Sequence, residues 1–238
     1  MCFAFLSKSQ AVSPPPDGGY AGGNTAEGQN ALLSLTTGTY NTALGLYSLL
    51  SNSTGKFNTG VGAGTPLANT ADQNTATGAG ALLSNTIGTA NTADGAFALF
   101  LNTEGSSNTA VGDRALFNNT TCSENTAIGV EALENNTTGV DNTATGVRAL
   151  MSNTSVENTA NGAFALQNDA MGSDNTAVGS QALFLNTEGS SNTAAGASAL
   201  FANTMGDSST AIGDEALVAN TGDDNTATGT GALSSNTD

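Results

Sequence analysis

The side chains in this chain that could act chemically are carboxylates, two thiols and many hydroxyls. The acids form two sets: Asp113, Glu131, Asp214 and Glu215, and then Glu124, Asp141, Glu157, Asp174 and Asp224. Acid–base catalysis would need two carboxyls held close together in unlike environments. A calcium site would need several oxygens around one point, and Asp223-Asp224 is the natural place to begin one. Histidine is absent, which removes the commonest base and metal ligand. The only basic residues are Lys8, Lys56, Arg114 and Arg148, so the plentiful Ser and Thr lack a partner to activate them. Cys2 and Cys122 are too few for a disulfide framework, and neither is expected to do chemistry. Sequons such as Asn118-Asn119-Thr120 and Asn135-Asn136-Thr137 arise by composition in any repeat rich in Asn-Thr. The Gly-Gly-x-Gly-x-Asp nonapeptide of calcium β-rolls is absent. No catalytic, cofactor-binding or metal-ligating residue is assigned, and the acids are expected to lie on a solvated face of turns.

What positions these residues is a repeat. The pentad Asn-Thr-Ala-x-Gly starts at Asn24, Asn41, Asn58, Asn74, Asn91, Asn108, Asn125, Asn142, Asn158, Asn175, Asn192, Ser209 and Asn225, at spacings of 17 residues in nine cases and 16 in three. A fixed short period of this kind marks an array of stacked units. Counting the first Asn as position 0, position 1 is always Thr and position 4 always Gly. Position 2 is Ala except at Gly60, position 7 is Ala in eleven copies, and position 8 is Leu except at Pro66. A second Asn-Thr pair tends to fall at positions 11 and 12, followed by a second Gly such as Gly55, Gly88, Gly105 or Gly139. Cys122 takes the place of that Gly. The segment Ala98–Ala110 recurs identically as Ala182–Ala194, which is block duplication.

Gly, Asn and Thr are poor helix formers, and a 16–17-residue unit is too short for a helix pair. The pattern predicts an all-β fold, a parallel β-solenoid or β-roll of about thirteen coils over 24–238, each coil made of two short strands and two Gly-bearing turns. A single unit cannot fold alone, because one Leu and two Ala bury too little. Each coil must pair its backbone with the next at a rise of ~4.8 Å, with asparagine ladders at the bends. Thirteen such steps give a rod of roughly 60 Å.

Position 9 decides what surrounds the rod. It is large and apolar in ten copies: Leu33, Leu50, Leu67, Leu83, Phe100, Phe117, Met151, Phe184, Phe201 and Val218. Neighbours on a strand point to opposite faces. Either a corner buries both positions 8 and 9, or position 9 forms an apolar stripe along the rod that serves as a seam between chains. Position 3 mixes aliphatics (Leu44, Val61, Val111, Ile128, Val178, Ile212) with polar residues such as Glu27 and Asp94, which places it at the edge of any seam.

The formal net charge of −16 disfavours nucleic acid and anionic lipid as partners. No stretch approaches the ~20 apolar residues of a membrane-spanning helix. Residues 1–11 look like the tail of a secretory signal peptide, and residues 12–23, with Pro14-Pro15-Pro16, like a linker. Asp238 falls just inside a repeat, so the chain is expected to be part of a longer protein.

Asn-Thr-Ala-Val-Gly at 108–112 and 175–179 and Asn-Thr-Ala-Ile-Gly at 125–129 resemble the head repeats of YadA-type trimeric autotransporter adhesins. They also resemble repeat arrays of phage tail-fibre and bacterial surface proteins. The resemblance covers 24–238 and implies a left-handed roll, three chains in one rod, and adhesion at a cell surface. The period here is longer than in the adhesin heads, and the stalk and anchor of that family have no counterpart, so ligand and anchoring do not carry over. The expectation is therefore an extracellular, non-enzymatic adhesive or structural rod, trimeric through the Leu/Phe stripe. A monomeric spacer is the alternative, and an ice-binding solenoid using the position 1 Thr column is a more distant one.

Overall fold

The computed structural model describes residues 20–65 and 70–236. The expected leader at 1–11, most of the linker, and Pro66 and Leu67 lie outside them. Thirteen strands of three residues follow one another from β1 (Thr25–Glu27) to β13 (Thr226–Thr228), one per coil. They form one parallel sheet in strict chain order. Register follows the repeat: Thr109 pairs with Thr126, Ala110 with Ala127 and Val111 with Ile128. The register holds across a 16-residue coil, where Thr143 pairs with Thr159. The chain is a parallel β-solenoid of 16–17-residue coils, and no helix occurs among the described residues.

Among the described residues the expected second strand of each coil is absent. Positions 6, 8 and 16 adopt left-handed backbone angles, as at Arg114 (φ 57°), Leu116 (φ 53°) and Glu124 (φ 63°). These corners break the extended geometry a strand needs, yet inter-coil pairing continues through them. Leu116 N–H donates to Ala132 O at 3.0 Å, and Arg114 N–H donates to Ala96 O at 3.0 Å. The corners also turn Ala at position 7 and Leu at position 8 inward together, which a straight strand forbids. Every Leu from Leu49 to Leu217 in that column is fully buried.

The interior is therefore a narrow column of two Ala and one Leu per coil, flanked by Asn at positions 0 and 11. Gly at position 4 is required on two counts. Gly112 has φ 130°, and a Cβ there would lie 2.6 Å from Gly129 O in the next coil. The apolar core runs unbroken from Ala76 to Ala227. A smaller cluster of Ala26, Ala31, Leu32, Ala43 and Leu49 fills the first two coils, with Tyr20 packed against it. Between them the methyl columns give way to hydroxyls: Ser48 Oγ lies 2.8 Å from Thr65 Oγ1 and donates to Gly60 O at 2.8 Å.

Candidate interaction surface

The asparagines form ladders, but they bond the backbone as much as one another. At position 0, Asn108 Oδ1 accepts from Asn125 N–H at 3.0 Å, while its Nδ2 donates to Cys122 O at 2.8 Å. At position 11, Asn119 Nδ2 donates to Asn102 Oδ1 at 3.0 Å and to Cys122 O at 2.9 Å. Asn108 and Asn119 are buried and satisfied, so they hold the corners and are closed to a ligand; in the same position 11 column, Asn52 Oδ1 is buried without a partner. Cys122 contributes its carbonyl to both ladders. Its thiol is buried and free, and burial pushes its pKa up, away from reactivity.

The acids named from the sequence are scattered around the rod. Glu131 holds Arg148 at 2.6 Å, and Asp113 lines a surface hollow. Asp214, Glu215 and Asp224 are exposed. Asp223 accepts from Asp207 N–H at 2.9 Å, so it serves a neighbouring coil's backbone. Stacking does bring two pairs together on the exposed position 16 column. A shared hydrogen bond with Asp141, then its like charge, raises the pKa of Glu124; Asp174 does the same to Glu157. Among the described residues no group of three or more His, Cys, Asp or Glu is placed to hold a metal ion. Of the sequon asparagines, Asn118 Nδ2 donates to Asn135 Oδ1 at 2.8 Å, so the two are tied to each other across coils.

Position 9 carries a large apolar side chain outside the core in most coils, and Tyr47 and Phe97 at position 6 and the stacked, exposed pair Tyr40–Phe57 at position 16 also lie outside it. At position 9, Leu33 is exposed, while Leu50, Leu83, Phe100, Phe117, Met151, Phe184, Phe201 and Val218 are half-buried. Position 8 thus points in and position 9 out. Phe100 stacks on Phe117 (5.1 Å between centroids, 6° between planes) and Phe184 on Phe201 (5.2 Å, 8°), which gives the duplicated block the same ring pair twice. The first pair carries more. Phe97 meets Phe100 edge-on at 5.5 Å, and Arg114 lies 4.9 Å over the Phe117 ring and bonds Glu134 at 2.7 Å. Together Phe97, Phe100, Asp113, Arg114 and Phe117 line a hollow of about 350 Å³. The second pair has Gln181, Ala197 and Ser198 at the places of Phe97, Asp113 and Arg114, so the elaboration belongs to one site and not to the repeat.

The strand face outside the Ala column carries Thr at position 1 and the variable position 3, with Leu44, Ile128, Val178 and Ile212 exposed on it. Sequence spacing located the Thr, Leu and position 9 columns. It could not indicate the corner angles, the pairing of carboxylates across coils, or the acid in the inner asparagine column at Asp169.

Fold and surface together define a parallel β-solenoid repeat protein. Its interior is closed, and its surface is acidic with an apolar stripe. No protein-family model matches the chain, and no curated protein matches it. No helix among the described residues is long and apolar enough to cross a membrane.

Proposed function

We propose that this chain is an exported structural and adhesive rod, assembled with two further copies along the position 9 stripe, and that it has no enzymatic role. The supporting observation is the stripe itself: leucines, phenylalanines, a methionine and a valine at position 9 of nine described coils, interrupted at Glu134 and Gln167 and pointing away from a core that is already filled. Covering such a row removes apolar area from water at about 25 cal/mol per Å², and a row spaced at the coil rise suits a partner of the same period. The asparagine ladders and close-packed glycines fit a spacer whose stiffness matters more than any single pocket. Light scattering on the full chain checks the assembly: a trimer has three times the 23.4 kDa chain mass. Phe184→Lys with Phe201→Lys should return it to one chain mass with the solenoid spectrum unchanged. A wild-type mass of one chain at micromolar concentration would overturn the trimer and leave a monomeric spacer. One observation favours that second reading: the ring pairs stack on each other within one chain, which already covers part of the stripe.

A further inference from the structure

From the fourth coil onward the inner column at position 11 is asparagine with one exception, Asp169. An amide in that column accepts through Oδ1 and donates through Nδ2. Asn102 Nδ2 donates to Gly105 O at 2.9 Å and to Asn85 Oδ1 at 2.8 Å. Asn136, Asn186 and Asn203 each reach the carbonyl three residues on at 2.8 Å. Asp169 keeps the accepting half: Oδ1 takes Gly172 N–H at 3.1 Å and Asn186 Nδ2 at 3.0 Å. Its other oxygen, Oδ2, replaces the donating nitrogen. It is buried and has no hydrogen-bond partner, and the residue is 0% exposed.

The groups an amide nitrogen would bond there are both acceptors. Gly172 O already receives Asn158 Nδ2 at 2.7 Å, and Asn153 Oδ1 receives the same nitrogen at 3.1 Å. No cation offsets a carboxylate at this place. The side chains around it (Asn153, Asn158, Asn175 and Asn186) are uncharged. Glu157, Asp174 and Glu188 on the adjoining turns are exposed, and Arg148 is held by Glu131. A bare carboxylate buried against carbonyl oxygens costs far more than a neutral acid.

We propose that Asp169 is protonated in the folded rod, its Oδ2 hydroxyl donating to the Gly172 carbonyl, and that losing this proton loosens the ninth coil, making it a pH-sensitive joint. The same stretch departs from the repeat in two other ways. The preceding coil has 16 residues, and Ser155 stands where Gly is usual, so the joint sits where the stack is already irregular. Burial pushes the Asp169 carboxyl up to about 7, and the hydrogen bonds from Asn186 and Gly172 only partly offset this. A folded-state value above the unfolded one means that folding retains a proton. The stabilisation is complete below the ordinary aspartate range and is lost as pH rises through about 7.

Hydrogen exchange of the full chain tests this, with rates corrected for intrinsic pH dependence, for wild type and Asp169→Asn at pH 5 and pH 8 in 0.5 M NaCl. Relative to the variant, wild-type protection of 158–175 should fall by roughly a hundredfold, about tenfold per pH unit up to the folded value. The ¹³C carboxyl shift of Asp169 in the wild type supplies a readout that needs no variant, and it should titrate near 7. Titration near 4, or parallel exchange in the two proteins, overturns the proposal. A profile abolished by EDTA also overturns it, by giving Oδ2 to a metal ion.

Discussion

Asn108 shows what a single repeat position accomplishes. Its amide satisfies the next coil's buried Asn125 N–H at 3.0 Å, which would otherwise be orphaned, and shares the Cys122 carbonyl, at 2.8 Å, with Asn119. Ser209 is the one copy that lacks this amide. Its hydroxyl reaches Gly222 O only at 3.5 Å, and Asn225 N–H approaches it at 3.2 Å. Ser209 opens a 16-residue coil, but so does Asn142, whose Nδ2 meets Ser155 O at 2.8 Å; the shorter coil therefore accommodates the amide. Ser209→Asn should stabilise the chain by about 1 kcal/mol, read as a raised urea midpoint with an unchanged slope. At this scale the sequence was legible wherever one residue type served one purpose. Gly at position 4 and Asn at position 0 are dictated by a close approach and a buried donor. Leu116 was legible only in part: its burial follows from its column, but its φ of 53° does not, since leucine avoids that region. Asp169 escapes a reading by spacing because aspartate and asparagine share a shape, and only the missing donor distinguishes them.

At the scale of the coil, the left-handed corners explain why one strand stands where two were expected. Each corner orients Ala and Leu into a space barely wider than their side chains, so the contents of neighbouring coils are interdependent. The third coil shows this. Gly60 replaces the usual Ala because a Cβ there would lie 2.6 Å from Thr65 Oγ1 and 2.7 Å from Ser48 Oγ. The three residues form a polar plug that separates the small N-terminal cluster from the main core. Gly60→Ala alone should destabilise, because the added methyl meets both hydroxyls. Ser48→Ala, Gly60→Ala and Thr65→Ala together restore the methyl columns, and should be more stable than Gly60→Ala by about 2 kcal/mol or more. Coupling of that size is expected among contacting residues. A denaturation series over the single and triple variants measures it, and simple additivity would contradict the plug. Nothing in the composition of Ser48, Gly60 or Thr65 taken singly indicates this. Only the stacked register brings the three together.

At the scale of the molecule, the stacking that aligns hydrogen bonds also aligns charge. A chain of net charge −16 places Glu124, Asp141, Glu157 and Asp174 on four consecutive coils in one exposed column. Hydrogen bonding to the neighbouring aspartate and its like charge raise the pKa of Glu124 and Glu157, so in the folded state each keeps its proton to higher pH than it does unfolded. The resulting stabilisation is complete below the ordinary glutamate range and is lost as pH rises through the raised values. The column should therefore oppose folding at neutral pH and cease to do so in mild acid. Being on the surface, it is open to screening, and 0.5 M NaCl shortens the Debye length to roughly half its physiological value. The thermal midpoint should rise from pH 7.5 to pH 4.5 at low salt. Much of that rise should disappear at 0.5 M NaCl, and equally in a Glu124→Gln, Glu157→Gln variant. In the Glu124→Gln, Glu157→Gln variant, where the shared protons that salt does not screen are also gone, whatever pH dependence survives salt belongs to the interior and should vanish when Asp169→Asn is added. If salt removed all of the wild-type pH dependence, Asp169 would not be titrating in the folded rod. If salt removed none, the exposed column would carry no strain, and the repulsion expected from its stacking would be absent.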